Sequence, residues 1–164
     1  MSRFPATAAE LDEDRVWRPH VTVATVVPRE DRFLLVEENV HGRLVLNQPA
    51  GHLEPAESLQ QAATRETLEE TGWHVALTCL VGVQQWRSQG GRHFVRFTFA
   101  AEAVEHEPAR VLDEGIVRAL WLGRDRIAAE TARLRSPMVL ASIDDWLAGR
   151  RLPLDAVRNF CVSP

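Results

Sequence analysis

Three carboxylates lie close together in a segment that has the pattern of a helix. Glu66, Glu69 and Glu70 are spaced at i, i+3 and i+4, and this spacing places side chains on one face of an α-helix. Like charges within one turn repel one another, and a carboxylate at the edge of a core costs several kcal/mol unless it is paired. Carboxylate oxygens are the ligands that Mg²⁺ and Mn²⁺ prefer. The spacing therefore predicts a divalent-cation site.

The residues around these acids are typical of helix ends. Ser58 and Gln61 have the spacing of a capping box, and Gly72 lies where a left-handed cap is expected. We predict a helix from Leu59 to Thr71. At about 100° per residue the acids fall on the arc of the apolar residues. That arc contains Leu59, Ala62 and Ala63, and the other side has Gln60, Gln61, Thr64 and Thr71.

Seven residues of this stretch have the identity and spacing of the Nudix box. They are Gly51, Glu57, Arg65, Glu66, Glu69, Glu70 and Gly72. The chain therefore resembles the Nudix hydrolase family. Where the family usually has a bulky aliphatic residue this chain has Thr67, a difference that concerns local packing and not the chemistry.

The resemblance implies a fold, a reaction and a set of site residues. The fold is α/β, with a mixed β-sheet sandwiched between helices. The reaction is hydrolysis of a phosphoanhydride, with Mg²⁺ as the cofactor and Mn²⁺ able to substitute. Glu66, Glu69 and Glu70 correspond to the metal ligands, together with the Gly51 carbonyl. Glu57 and Arg65 correspond to residues that support them.

The resemblance leaves two candidates for the general base, because family members use different acids. Some use a glutamate of the box, and others use an acid from a later loop. Glu69 is our first choice. Glu114 is the second, because Asp113 and Glu114 precede a predicted strand where many relatives place a loop acid.

Longer stretches resemble one group of bacterial phosphatases within the family. They are PHVTVATVV, LVLNQPAGHLE and LRSPMVLASI. This similarity implies action on nucleoside di- and triphosphates, thiamine diphosphate and hydroxymethylpyrimidine diphosphate. The chain has no tyrosine, which dinucleoside polyphosphate hydrolases usually have after the box, and no proline between Trp73 and Pro108, where ADP-ribose hydrolases usually have one. The alternative is a non-catalytic Nudix-fold module that binds a nucleotide, although such modules usually lack box acids.

Several residues near the box are candidates for substrate contacts. Trp86 could stack on a flat heterocycle and Arg87 could contact a phosphate. Arg96 is a further candidate, with a surface role as the alternative. Asn47 and Gln48 could bond to a base edge, although turn capping explains them nearly as well.

The remaining sequence predicts one domain of strands with interspersed helices. We expect an N-terminal arm over 1–19, the Nudix domain over 20–155 and a tail over 156–164. Within the domain QGGR predicts a hairpin turn. The predicted strands cover 20–27, 33–39, 45–52, 74–88, 93–104 and 116–122, and a second helix covers 136–149.

Charge and composition limit the possible partners. The formal net charge of -4 argues against binding to a nucleic acid polymer. The start of the chain lacks a basic segment followed by an apolar run, and no segment has the about 20 apolar residues that span a bilayer. We expect a cytoplasmic protein with a small-molecule diphosphate substrate, without membrane contact, as a monomer or homodimer.

Overall fold

The computed structural model describes residues 17–160. Most of the predicted N-terminal arm and the last four residues, 161–164, lie outside this range, and the domain boundaries at 19 and 155 stay predictions. None of the helices over 17–160 has the length and apolar character needed to cross a membrane. The strands are β1 His20–Val26, β2 Pro28–Arg29, β3 Arg32–Val40, β4 Arg43–Asn47, β5 Ala50–His52, β6 Trp73–Arg87, β7 His93–His106 and β8 Ile116–Gly123. The helices are α1 Leu59–Thr71, α2 Arg124–Ala129 and α3 Met138–Leu147.

The strands form two four-stranded sheets that pack with the helices, as the predicted α/β class requires. The first sheet has the order β5-β1-β7-β6 and is mixed, because β1 and β7 are parallel and the other pairs are antiparallel. The second sheet joins β2, β3 and β4, and β8 pairs with β3. Ile127 of α2 and Ile143 of α3 pack with Phe33 and Leu35 of the second sheet. The α1 helix lies on the first sheet.

Helix α1 has the predicted bounds because both of its ends are capped locally. The Ser58 hydroxyl accepts from the Gln61 N–H and the Gln61 side chain accepts from the Ser58 N–H. Gly72 ends the helix with φ 70°, a conformation that glycine adopts without steric cost. Ala62 and Ala63 are buried against the first sheet.

The prediction that Thr71 lies on the solvated side of α1 is wrong. Thr71 is 2% exposed, and its hydroxyl donates to the Thr67 carbonyl. Thr67, at the position that departs from the family pattern, is fully buried. Its hydroxyl lies 2.8 Å from the Thr25 hydroxyl and 2.7 Å from the Ala63 carbonyl oxygen. The buried face of α1 is therefore wider than the apolar pattern indicates, because the hydroxyls of both threonines have hydrogen-bond partners inside the protein.

The predicted strand over 45–52 is two strands in different sheets. β4 pairs with β3, whereas β5 pairs with β1. Pro49 interrupts the strand because proline has no N–H to donate to a neighbouring strand. The Pro49 carbonyl accepts from the N–H of Thr25 in β1 at 3.0 Å. The chain thus passes from one sheet to the other at Gln48 and Pro49.

Candidate active site

Two residues of α1 and one residue of a later loop bring carboxylates together. Glu66, Glu69 and Asp113 each have an oxygen within 4.8 Å of the other two. Glu66 is buried, Glu69 is half-buried and Asp113 is exposed. All three offer the hard oxygen donors that suit a divalent cation. This cluster could therefore hold a metal ion.

The loop between β7 and β8 is tied to the end of α1 by backbone hydrogen bonds. The Glu107 N–H donates to the Gly72 carbonyl at 2.8 Å, and the Asp113 N–H donates to the Glu69 carbonyl at 3.1 Å. The cluster over the described residues thus includes Asp113, whereas Glu114 is exposed and not part of it. The sequence has two acids before β8, Asp113 and Glu114. The conformation of the loop decides which of them joins the cluster, and no local sequence pattern predicts that conformation. A catalytic role for Glu114 stays a prediction.

Gly51 lies directly against the Glu66 carboxylate. A β-carbon placed on Gly51 would be 2.1 Å from the Glu66 carboxyl carbon. Any side chain there would occupy the volume of that carboxylate. The glycine of the box is thus required by the close approach of a site residue.

Arg65 bonds to three glutamates at once. Its Nε and Nη2 donate to the two Glu57 oxygens at 3.0 and 2.8 Å. Its Nη1 donates to Glu66 Oε1 and Glu69 Oε2, both at 2.9 Å. The Arg65 hydrogen bond lowers the pKa of Glu57 from its ordinary value. The guanidinium therefore fixes the rotamers of two cluster acids. A supporting role for Arg65, which the resemblance implies, stays a prediction.

Glu70, which the box implies as a metal ligand, does not belong to the carboxylate cluster among the described residues. Its Oε2 accepts from the Ala50 N–H at 2.8 Å. Burial raises the pKa of Glu70 to about 9, and the nearby carboxylates of Glu38, Glu66 and Asp113 add to this rise. Burial also raises the pKa of Glu66, against the opposing effect of Arg65. Burial therefore disfavours the charged form of both carboxylates, and a divalent cation bound beside them would favour it.

A cleft of about 440 Å³ is lined by residues of both sheets, among them Gly51 of β5 and Glu38 of β3. Three of the predicted substrate residues line it, namely Asn47, Trp86 and Arg96. Arg87 is exposed and lies outside the cleft lining, because successive residues of a strand face opposite sides. Gln48 is 1% exposed and also does not line the cleft. The geometry gives no support to the substrate contacts predicted for Arg87 and Gln48.

Three residues of the cleft lining that the sequence analysis did not select have polar atoms that are unpartnered among the described residues. Thr22, Glu38 and Ser136 each have a buried side-chain oxygen without a hydrogen-bond partner among residues 17–160. The sequence of β1, HVTVATV, has polar residues at His20, Thr22 and Thr25 and does not single out Thr22. Glu38 and Ser136 come from the second sheet and from the segment before α3. Only the packing of these elements brings them to the cleft.

Comparison with known proteins identifies the class. A family model described as NUDIX domain matches residues 17–142. The chain therefore belongs to the Nudix family, and it is a hydrolase that acts on phosphorus-containing anhydrides.

Individual relatives make the comparison more specific. The chain is 40% identical over 145 residues to Phosphatase NudJ of Escherichia coli strain K12. This alignment covers 88% of this chain and 94% of that protein. A solved structure of a NUDIX hydrolase from Nitrosomonas europaea is 47% identical, with a TM-score of 0.86 over 87% of this chain and 98% of that chain. The fold is also similar to a crystal structure of UDP-X diphosphatase, with a TM-score of 0.67 over 88% of this chain and 75% of that chain. At 17% identity this likeness shows the fold alone.

Proposed function

We propose that the protein is a Mg²⁺-dependent hydrolase that cleaves the phosphoanhydride of nucleoside di- and triphosphates and of thiamine-related diphosphates. The latter are hydroxymethylpyrimidine diphosphate and thiamine diphosphate. The observation that carries the proposal is the carboxylate cluster of Glu66, Glu69 and Asp113 next to a cleft whose lining includes Gly51, the glycine that lies against the Glu66 carboxylate. The identity to Phosphatase NudJ over most of the chain supports the phosphatase activity.

Glu66, Glu69 and Asp113 would hold the metal, with Glu70 and the Gly51 carbonyl as the further ligands implied by the box. Bound Mg²⁺ or Mn²⁺ neutralises phosphate charge and lowers the pKa of a bound water. Arg65 keeps the Glu66 and Glu69 carboxylates in place through its hydrogen bonds. Among the acids, Glu69 is our first choice as the residue that takes the proton of the attacking water.

The cleft would hold the part of the substrate that does not react. Trp86 offers a ring face for stacking, and Asn47 and Arg96 offer polar atoms. The substrate is thus a small diphosphate, and no nucleic acid polymer or membrane is required. The protein acts as a monomer or homodimer in this proposal.

The test is hydrolysis of a panel of diphosphates by the purified protein with Mg²⁺, Mn²⁺ or chelator. We expect phosphate release that requires the metal. Glu69→Gln should lower turnover by about 10²- to 10⁴-fold while the melting temperature stays near that of the wild type. A protein that hydrolyses none of the panel, or hydrolyses it equally well in chelator, would contradict the proposal. Binding without hydrolysis would instead indicate the non-catalytic module.

A further inference from the structure

Two histidine side chains meet at the edge of the first sheet, outside the carboxylate cluster. His20 is the first residue of β1, and His52 is the last residue of β5. The Nδ1 atom of His20 lies 3.1 Å from the Nε2 atom of His52, and both residues are exposed. A neutral imidazole binds metal ions through the ring nitrogen that carries no proton. The pair therefore places two possible ligand atoms next to each other, where an ion in solution can reach them.

The distance between the two nitrogens suits a shared metal ion. Two Zn–N bonds of about 2.0–2.1 Å that meet at a tetrahedral angle of about 109° place the nitrogens about 3.3–3.4 Å apart. The observed separation of 3.1 Å is close to this value. The same separation also fits an N–H···N hydrogen bond, in which one imidazole donates and the other accepts. A metal ion could therefore take the place of the shared proton with little movement of either ring.

Paired strands hold the two imidazoles on one face of the first sheet. His52 is directly opposite Thr22 of β1, and residues directly opposite one another project from the same face. His20 lies two residues before Thr22 on the same strand, so it projects from that face as well. The His20 ring also stacks on Phe94 of β7, with ring centroids 5.1 Å apart and planes at 24°. Ligands that are already positioned in this way lose little freedom when a metal binds.

Strand β5 separates the histidine pair from the carboxylate cluster. A β-carbon on Gly51 would meet the Glu66 carboxylate, so that side of β5 faces α1. Successive side chains of a strand point to opposite sides. His52 therefore projects to the other side of β5, where it lines the cleft. The histidine pair and the carboxylate cluster are thus two sites on different sides of one strand.

The ligand atoms of the two sites select different ions. Carboxylate oxygens suit Mg²⁺ and Mn²⁺, whereas imidazole nitrogens suit Zn²⁺, Ni²⁺ and Cu²⁺. Among residues 17–160 no further His, Cys, Asp or Glu side chain completes a group of three with the pair, so water or an anion would fill the other positions. Arg92 lines the same cleft and acts on His52 with its positive charge. We therefore expect micromolar affinity, weaker than that of a site with four protein ligands.

We propose that His20 and His52 form a second metal site, which binds a borderline-soft divalent cation such as Zn²⁺. This site goes beyond the proposed function, because the hydrolysis uses oxygen ligands on the other side of β5. An ion bound by the pair lies at the wall of the cleft, since His52 is part of its lining.

The test is titration calorimetry of the full chain with Zn²⁺ at saturating Mg²⁺, which occupies the oxygen ligands. His20→Gln should weaken Zn²⁺ binding by at least about tenfold, because two linked ligands bind far more tightly than one alone. His52→Gln should have the same effect, so the result does not depend on the folding of one variant. The matched control is His41→Asn, at an exposed histidine of the same cleft with φ 52°, a conformation that asparagine tolerates. It should bind Zn²⁺ like the wild type.

Two further measurements identify the ligand atoms. Glu69→Gln should retain the Zn²⁺ affinity of the wild type, whereas His20→Gln should retain its Mn²⁺ affinity. Electron paramagnetic resonance with Cu²⁺ below one equivalent should show coupling to two imidazole nitrogens in the wild type and to one in His20→Gln.

Three outcomes would overturn the inference. They are equal Zn²⁺ affinities of the wild type and both histidine variants, no Zn²⁺ binding at millimolar concentration, and loss of Zn²⁺ binding in Glu69→Gln, which would assign the ion to the carboxylate cluster. A protein that binds Zn²⁺ as expected but hydrolyses no diphosphate would support the second metal site and contradict the proposed function. Metal-dependent hydrolysis by a protein without the Zn²⁺ site would do the reverse.

Discussion

The Glu66 carboxylate occupies the volume into which a side chain on Gly51 would project. A β-carbon at Gly51 would lie 2.1 Å from the Glu66 carboxyl carbon and 2.1 and 2.2 Å from its two oxygens. The strand that contains Gly51 therefore packs so closely on α1 that no side chain fits between Gly51 and Glu66. A substitution at Gly51 would therefore move the Glu66 carboxylate without changing its charge.

Gly51→Ala should displace Glu66 and lower kcat/KM by about a hundredfold, since a misplacement of about 1 Å at a reacting centre has an effect of that size. Steady-state kinetics at several Mg²⁺ concentrations would measure the change in kcat/KM. Gly82→Ala is the matched control, because a β-carbon at Gly82 meets nothing within 4 Å. Equal activity of the two variants would show that the position of Glu66 is unimportant.

Asp113→Asn should lower turnover more than Glu114→Gln. Asp113 belongs to the carboxylate cluster, and its N–H is bonded to the Glu69 carbonyl. Loss of a metal ligand or a base should reduce kcat by about 10²-fold or more, with little change for the exposed Glu114. The measurement is kcat at saturating Mg²⁺ for both variants. The opposite order would assign the loop role to Glu114, as the sequence alone suggests.

Arg65→Lys should weaken metal binding while it preserves the charge. The ammonium group of lysine lacks the planar fork that bonds to Glu57, Glu66 and Glu69 together. Supporting residues of metal sites typically contribute 10- to 100-fold in affinity, so we expect a loss of about that size. Calorimetric titration with Mn²⁺ would test it, with Arg32→Lys as the control. An unchanged Mn²⁺ affinity would remove Arg65 from the support of the site.

Thr67→Val should destabilise the fold by about 1–2 kcal/mol, because it leaves the buried Thr25 hydroxyl without its partner. Thr25→Val combined with Thr67→Val should cost less than the sum of the single changes. Urea unfolding of the four proteins forms a double-mutant cycle that measures the coupling. Strict additivity would show that the two hydroxyls do not interact.

Glu37 should contribute stability that is lost in acid. Burial by itself would raise the pKa of Glu37, but hydrogen bonds from Arg133 and Arg118 outweigh burial and hold it below the ordinary value of 4.5. The unfolded chain then takes up the proton first, so the contribution is complete above pH 4.5 and disappears as the pH falls through the lower pKa of the folded state.

Urea unfolding between pH 7 and pH 3 would measure the contribution of Glu37. Glu37→Gln should make the free energy of unfolding depend less on pH below about 4.5. Glu102→Gln, at an exposed position, should retain the dependence of the wild type. If Glu37→Gln has the same acid dependence as the wild type, the Glu37 ion pairs do not contribute in this way.

Local patterns were sufficient to predict helix α1, because Ser58, Gln61 and Gly72 fix its ends through contacts within the same segment. The site residues of α1 follow from that helix. Asp113 and Glu38 could not be selected in the same way, because their positions depend on the packing of a loop on α1 and of one sheet beside the other. Arg96 was predicted as a substrate contact, with a surface role as the alternative, but it is 6% exposed. Its neighbour across the sheet is Thr22, which is distant in sequence.

The parallel pairing of β1 with β7 also determines when the cleft can form during synthesis. β1 leaves the ribosome early, yet β7, its parallel neighbour, ends only at His106. The cleft therefore cannot form until well over half of the polypeptide has been translated. Because this contact joins distant parts of the chain, it closes a large loop, and such closure slows folding relative to local hairpins.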